Sequence, residues 1–186
     1  MQEIKYILLD VHGVLTEGNE RSRFLSSMSK TYGIDYNKHN DLWMAHLKNL
    51  DIGVERAKDY VDSVNKAFNT SFSIDEYYGK MTSQIKVNQF LLETLERFEN
   101  CEICIVSDTF PEISSRLDSI FGGQFKKYRK FYSYELGKRK ADGLLEDVLK
   151  AIDAKPSECL FIDDSKENIE MALKMGIGAS MLFKKD

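Results

Sequence analysis

The stretch Ile7-Leu8-Leu9-Asp10-Val11-His12-Gly13-Val14-Leu15 constrains this chain more than any other, because an apolar run close to the amino terminus ends in one aspartate. A strand buried on both faces of a parallel sheet reads as a continuous hydrophobic run. Such sheets carry their chemistry at the carboxyl ends of their strands, where loops open onto a crevice. Asp10 therefore stands where a site is expected. Three later segments repeat the placement: Ile103-Cys104-Ile105-Val106 leads into Ser107, Cys159-Leu160-Phe161-Ile162 leads into Asp163-Asp164, and Lys140 follows a candidate strand over 128–134. A carboxylate, a hydroxyl, an ammonium and an acidic pair are thus expected at one edge of one sheet.

Downstream of Phe98, short apolar strands alternate with amphipathic helices. The strands are expected over 101–107, 128–134, 158–163 and 177–183, and the helices over 111–120, 142–152 and 166–175. Leu145, Val148, Leu149 and Ile152 share one helical face, as do Ile169, Ala172 and Leu173. Alternation of this kind implies a parallel sheet with helices on both sides, which the first strand, over 4–10, should join. Residues 16–85 read differently, as about four helices with no convincing strand. Val54, Ala57, Val61, Val64 and Phe68 form one stripe, and Leu42, Trp43, His46, Leu47 and Leu50 another. Gly33, Asp51-Ile52-Gly53 and Asn69-Thr70-Ser71 mark the turns. This segment reads as a helical cap inserted in an α/β core made of residues 1–15 and 86–186. Residues 86–98, with Val87, Phe90, Leu91, Leu95 and Phe98, would be the helix returning to the core.

The 186 residues suffice for one domain or a small core with an insertion. A net charge of −4 gives no electrostatic footprint for nucleic acid. The basic runs 126–130 and 138–140 read as solvated faces, with Lys140 as the exception. The apolar run near the amino terminus is too short for a signal peptide or membrane span, so a cytoplasmic location is expected. Three cysteines are then free thiols, and in Cys101-Glu102-Ile103-Cys104 the pleat of a strand sends the two sulfurs to opposite faces, against chelation. His39 and His46 lie about two turns apart on one helix, too far apart to share a metal, and read as packing or surface residues. Trp43 and Tyr77-Tyr78 read as cap core.

Ser133 is followed by Gly137 and Lys140, and Asp163-Asp164 by Asn168. In this order and at these spacings, the four segments resemble the motifs of the haloacid dehalogenase superfamily of phosphohydrolases. The resemblance covers residues 1–15 and about 100–181; in the cap it rests on position and helicity. It implies a Rossmann-like parallel sheet core with an inserted helical cap, and a Mg²⁺-dependent phosphatase that hydrolyses a small phosphorylated metabolite through an aspartyl phosphate. By that resemblance Asp10 is the nucleophile. Ser107 and the backbone amide of Asp108 bind the phosphoryl oxygens, and Lys140 pairs with Asp10 and phosphate. The metal is held by the Asp10 carboxylate, the backbone carbonyl of His12 and Asp164, with Asp163 a direct or indirect partner and Asn168 orienting them.

His12 departs from the family pattern, which commonly has a second aspartate there to protonate the leaving group. Imidazole can serve as acid or base, but a nearby dication disfavours imidazolium. Neutral His12 would then be a better base than acid, favouring good leaving groups; alternatively the ring turns away from the site. Two other readings follow from the same residues. One is a metal-independent 2-haloacid dehalogenase, opposed by the retained acidic pair; the other is a catalytically weak domain that binds a phosphometabolite or partner protein. Arg21, Arg23, Lys48 and Arg56 could meet a second anionic group on the substrate, although such helix charges are more often solvated.

Overall fold

The computed structural model describes residues 3–184. In chain order the main elements are β1 (Tyr6–Leu9), α1 (Glu20–Tyr32), α2 (Tyr36–Asp51), α3 (Ala57–Phe68), α4 (Ile74–Thr82), α5 (Gln89–Leu95) and β2 (Glu102–Ser107). They continue with α6 (Pro111–Ile120), β3 (Arg129–Tyr132), α7 (Ser133–Leu136), α8 (Leu144–Ala151), β4 (Cys159–Asp163), α9 (Lys166–Lys174) and β5 (Ala179–Leu182). The five strands form one parallel sheet in the order β3-β2-β1-β4-β5. This is the Rossmann-like α/β core expected from the alternating pattern.

Because β1 is central, its side chains are buried on both sides, and the pleat sorts them. Ile7 and Leu9 join Ile105, Ile162, Phe110 and the helices α1–α4 and α6 in one apolar cluster. Leu8 joins Cys104, Val106, Phe161 and the inner faces of α8 and α9 in a second. Cys101 packs against the first cluster and Cys104 lies in the second, so the two thiols do fall on opposite faces. Register sets the functional edge. Leu9 pairs with Ile105 on one side and Ile162 on the other, which brings Asp10 level with Asp163 one residue further along.

The helices α1–α4 follow β1 as a group. Each long helix has local sequence reasons for its limits: Asp35 caps α2 by accepting from Lys38 N–H at 2.8 Å, Ser73 caps α4 through Glu76 N–H at 3.2 Å, and Gly33 and Asn69 close α1 and α3 in left-handed conformations. The group is apolar inside, with Trp43, Tyr77 and Tyr78 buried as expected and Tyr60 buried among them. Its aromatic core continues into the α/β core through Phe110, whose ring lies 5.4 Å from Tyr78 and 6.1 Å from Trp43. The chain enters and leaves the group side by side: Thr16 and Val87 form an antiparallel bridge, with Glu17 N–H to Lys86 C=O and Asn88 N–H to Leu15 C=O both 2.8 Å.

Several sequence expectations need correction. The returning helix is shorter than 86–98, because residues 86–88 are taken up by that bridge; Phe90 and Phe98 are exposed rather than inward. Val54 precedes α3 and is exposed, and Leu173 faces solvent while Ile169 and Ala172 are buried. The strand expected to 134 ends at Tyr132, and Ser133 opens α7 instead.

Candidate active site

The edge residues converge as the sequence implies. Asp10 follows β1 in extended conformation, its Oδ1 accepting from Val11 N–H at 2.7 Å. Residues 11–15 then make one wide turn closed by Thr16 N–H to Val11 C=O at 3.0 Å. Lys140, only 2% exposed, places its ammonium 2.9 Å from Asp10 Oδ2 and 2.6 Å from Asp163 Oδ2. Burial opposes charge on both sides of this contact. It lifts the Asp10 carboxyl to about 6 against the pull of Lys140, and the Lys140 ammonium stays charged because Asp10 and Asp163 together outweigh its desolvation. Breaking such a buried pair leaves uncompensated charge, so the three residues depend on one another.

The two members of the acidic pair differ. Asp163 is fully buried and its oxygens are engaged: Oδ2 with Lys140, and Oδ1 with Ser165 N–H at 2.8 Å and Asn168 Nδ2 at 3.0 Å. Asp164 lies at the edge of the crevice, its pKa raised by burial and by Asp163. One carboxylate oxygen from each of Asp10, Asp163 and Asp164 falls within 4.8 Å of the others. Oxygen donors clustered this way match the preferences of a hard divalent cation, and the mutual repulsion of the carboxylates leaves a place for positive charge. Gly13 makes room for Asp164. Its φ is +83°, and a Cβ built there would lie 2.1 Å from Asp164 Oδ2, so this turn admits glycine alone. No chemistry-bearing side chain marks Gly13, and only its place in the first motif points to it.

The Ser-x-x-x-Gly-x-x-Lys segment also takes on a physical meaning. Ser133 Oγ accepts from Thr109 N–H at 2.9 Å and donates to Thr109 C=O at 3.0 Å, fixing the loop after β2. Asp108 Oδ1 accepts from Lys140 N–H at 2.9 Å, so its side chain holds the lysine segment. Ser107 is fully buried, and its hydroxyl has no hydrogen-bond partner. It does not line the crevice, whereas Asp108 and Thr109 do. Thr109, buried and with its own hydroxyl unpartnered, is a site residue the sequence reading did not single out.

The crevice between the α/β core and α1–α4 encloses about 550 Å³. Asp10, His12, Asp108, Lys140, Asp164 and Asn168 line its floor, Trp43, Leu47, Lys48, Asp51 and Met81 contribute from the helices, and Ile85 from the segment after α4. His12 faces this space instead of turning away, and it has an unforeseen neighbour: Nδ1 lies 3.9 Å from Glu20 Oε1 at the start of α1. Glu20 in turn accepts from the Thr16 hydroxyl. Burial works against the imidazolium, but Glu20 and Asp10 outweigh it and raise His12 above the ordinary histidine value; burial likewise works against the Glu20 carboxylate, which His12 and Thr16 hold at about 2. The contact arises where the β1 loop meets α1, and no spacing rule in the sequence signals it.

The cationic side chains considered for a second anion are largely committed elsewhere. Arg23 binds Gln84 C=O and Gly18 C=O at the bridge between the two linkers, and Arg56 pairs with Asp59 at 2.8 Å. Arg21 and Lys48 do line the crevice, with Arg21 Nη1 2.8 Å from Met44 Sδ and Lys48 3.6 Å from Asp142. His39 is buried, donating to or accepting from Tyr77 Oη at 2.6 Å, and His46 pairs with Glu55, so neither reaches the site. Arg139, read from sequence as part of a solvated run, instead turns into the crevice.

Solved structures of similar fold extend over nearly the whole chain. A HAD family enzyme from Bacteroides thetaiotaomicron, solved as a point variant with magnesium and inorganic phosphate, has a TM-score of 0.80 at 18% identity, covering 97% of this chain and 94% of that one. A HAD-like family hydrolase from Porphyromonas gingivalis has a TM-score of 0.76 at 17% identity, covering 97% and 91%. A HAD phosphatase from Thermococcus onnurineus has a TM-score of 0.62 at 15% identity, covering 95% and 85%. Identities this low speak for the fold alone. No curated protein matches. The model of the haloacid dehalogenase-like hydrolases, however, matches residues 4–176, and with the sheet, the four motifs and their convergence in place, the chain belongs to that family.

Proposed function

We propose that this hydrolase is a Mg²⁺-dependent phosphatase of a small phosphorylated metabolite, with Asp10 as the nucleophile. The observation that carries the reading is the buried Lys140 ammonium between Asp10 and Asp163, beside an Asp164 carboxylate that opens onto the crevice. An anionic ester resists attack by an anionic carboxylate, so a phosphatase needs fixed positive charge at that point. Asp10, Asp164 and the His12 carbonyl would hold the metal, while Asp163, saturated by Lys140, Ser165 and Asn168, would position Lys140. Bound there, Mg²⁺ supplies charge neutralisation and orients the phosphoryl group. The Bacteroides thetaiotaomicron enzyme, solved with magnesium and phosphate, supports this assignment.

Asp10 attacks phosphorus through a carboxylate oxygen, forming the Oδ–P bond as the P–O bond to the alcohol breaks. His12 donates its proton to the departing oxygen. It then takes a proton from water, whose oxygen attacks phosphorus and frees Asp10 and phosphate. Glu20 favours the imidazolium form and so supports the acid step, which a neutral histidine would perform poorly. Asp108 N–H, Thr109 and Lys140 surround the phosphoryl oxygens, whereas Ser107, outside the crevice lining, would have to turn its unpartnered hydroxyl toward them. Residues 16–85 act as the cap over the core formed by 1–15 and 86–186, hinged at the Thr16–Val87 bridge, and close the crevice over a compact substrate.

The test is phosphate release from p-nitrophenyl phosphate and acetyl phosphate, with and without chelator, in the parent and in Asp10→Asn. Metal-dependent turnover that disappears in Asp10→Asn supports the reading. Full activity in excess chelator, or near-parent activity in Asp10→Asn, would overturn it.

A further inference from the structure

In the wall of the crevice, a carboxylate from the helices meets a guanidinium from the core. Asp51, the last residue of α2, is 3% exposed. Its Oδ2 lies 3.4 Å from Arg139 Nε, and Asp108 Oδ2 lies 3.6 Å from the same nitrogen. Neither approach has hydrogen-bond geometry. The buried Arg139 Nε has no acceptor, and among the described residues no donor reaches the Asp51 carboxylate. Both groups line the crevice. A buried N–H without an acceptor is costly, and beside a carboxylate that lines the cavity without a donor it marks where a ligand's polar atoms belong.

Charge narrows the ligand. A second phosphate or carboxylate would face Asp51, Asp108 and Asp142, with Lys48 already close to Asp142 at 3.6 Å. An ammonium would face Arg139. Of these three, only a hydroxyl both donates and accepts, so it satisfies Asp51 and Arg139 together without adding charge. Beside the pair, Trp43, Leu47 and Phe110 offer an apolar wall suited to the C–H face of a hydroxylated chain or ring.

We propose that Asp51 and Arg139 form the leaving-group subsite, and that the substrate is a phosphate monoester whose alcohol carries further free hydroxyls and no second anionic group. This rests on the phosphatase reading and adds what the cap and the segment before Lys140 select. Asp51 accepts a hydrogen bond from a substrate hydroxyl whose oxygen accepts from Arg139 Nε–H. A substrate lacking the hydroxyl leaves both groups unpaired, and a substrate with a carboxylate there meets three acidic side chains.

The experiment measures kcat/KM for glycerol 3-phosphate, propyl phosphate, 3-phosphoglycerate and p-nitrophenyl phosphate in the parent, Asp51→Asn and Arg139→Gln, with melting temperatures recorded for each protein. The parent should prefer glycerol 3-phosphate over both propyl phosphate and 3-phosphoglycerate by about tenfold or more, the scale set by one buried unpaired polar group. Both variants should compress the glycerol-to-propyl ratio towards one, through KM more than kcat, and Asp51→Asn should improve 3-phosphoglycerate relative to glycerol 3-phosphate. A parent ratio near one, or a ratio unchanged in both variants, overturns the subsite while p-nitrophenyl phosphate turnover leaves the phosphatase reading standing. If a variant fails to fold, the parent ratios decide. Absence of Asp10-dependent turnover on every ester overturns the phosphatase reading, and the subsite with it.

Discussion

Replacing Lys140 by methionine isolates the electrostatic logic of the site. Methionine fills a similar volume without charge, leaving Asp10 and Asp163 buried on either side of the vanished ammonium, which had stood 2.9 and 2.6 Å from them. Removing one partner of a buried ion pair costs about 3–5 kcal/mol, because the remaining charge loses its compensation. For a chain of this size, each kcal/mol shifts the melting temperature by roughly 2–4 °C, so a fall of about 6–20 °C is expected. The loss should depend on pH. Burial already lifts Asp10 to about 6 with Lys140 in place, and without the ammonium its folded-state pKa must climb further above that of the unfolded chain. A raised carboxyl pKa contributes stability that is present at low pH and lost as pH rises through the folded value. The gap between parent and variant, measured by thermal unfolding in chelator, should therefore be wide near pH 8 and narrow near pH 5. Added Mg²⁺ should recover part of it by supplying positive charge to the same carboxylates. A gap below about 2 °C near pH 8, or one of equal size at both pH values, would refute the argument that Lys140 neutralises a buried carboxylate pair.

Further outcomes follow from the same geometry. Gly13→Ala places a Cβ against Asp164 at a φ of +83°, so it should cost about 1–2 kcal/mol in urea unfolding and weaken Mg²⁺ binding by titration calorimetry more than a glycine-to-alanine change elsewhere. Ser133→Ala removes both hydrogen bonds to the Thr109 backbone; about 1–3 kcal/mol of stability should be lost, with kcat/KM falling as the loop after β2 loosens, and parent-like values of both would refute its anchoring role. Asp51 is lifted to about 7 chiefly by burial, so its stabilising effect is complete below about pH 4 and lost as pH rises through about 7; Asp51→Asn should gain on the parent by up to about 4 kcal/mol between those limits, seen as a melting-temperature difference that grows with pH.

The sheet was legible because parallel strands must be buried on both faces, and that demand writes itself as apolar runs at β1, β2 and β4. Element ends were less so. Residues 86–88 carry an apolar Val87 in helical phase with Leu91, yet they pair with the Leu15–Glu17 segment, a long-range hydrogen-bonded contact that periodicity does not encode. Ser133 has the apolar-aromatic neighbours of a strand, but its hydroxyl is worth more to the Thr109 backbone, and the chain turns into α7 to deliver it. Val54 and Leu173 match helical stripes and still face solvent, since phase alone does not say where a helix starts or how wide its covered face is.

The site divides along the same line. Asp10, Asp163 and Asp164 were readable because each sits at a strand end where the sheet's register brings them together, and Lys140 because its spacing from Ser133 and Gly137 marks the segment that Asp108 holds beside them. Glu20, Asp51 and Arg139 were not, because their contacts depend on how α1 and α2 lie against the strand-end loops. Arg139 illustrates the limit. Within Lys138-Arg139-Lys140 three cations look alike, yet Lys138 pairs with Asp147 on the surface, Lys140 is buried against Asp10, and Arg139 points into the crevice between them. Consecutive residues outside an α-helix diverge in direction, so one basic run serves the surface, the Asp10 carboxylate and the cavity wall at once. What sequence supplies for such a segment is the charge. Its partners come from the elements packed against it, so where each cation points is written in other parts of the chain.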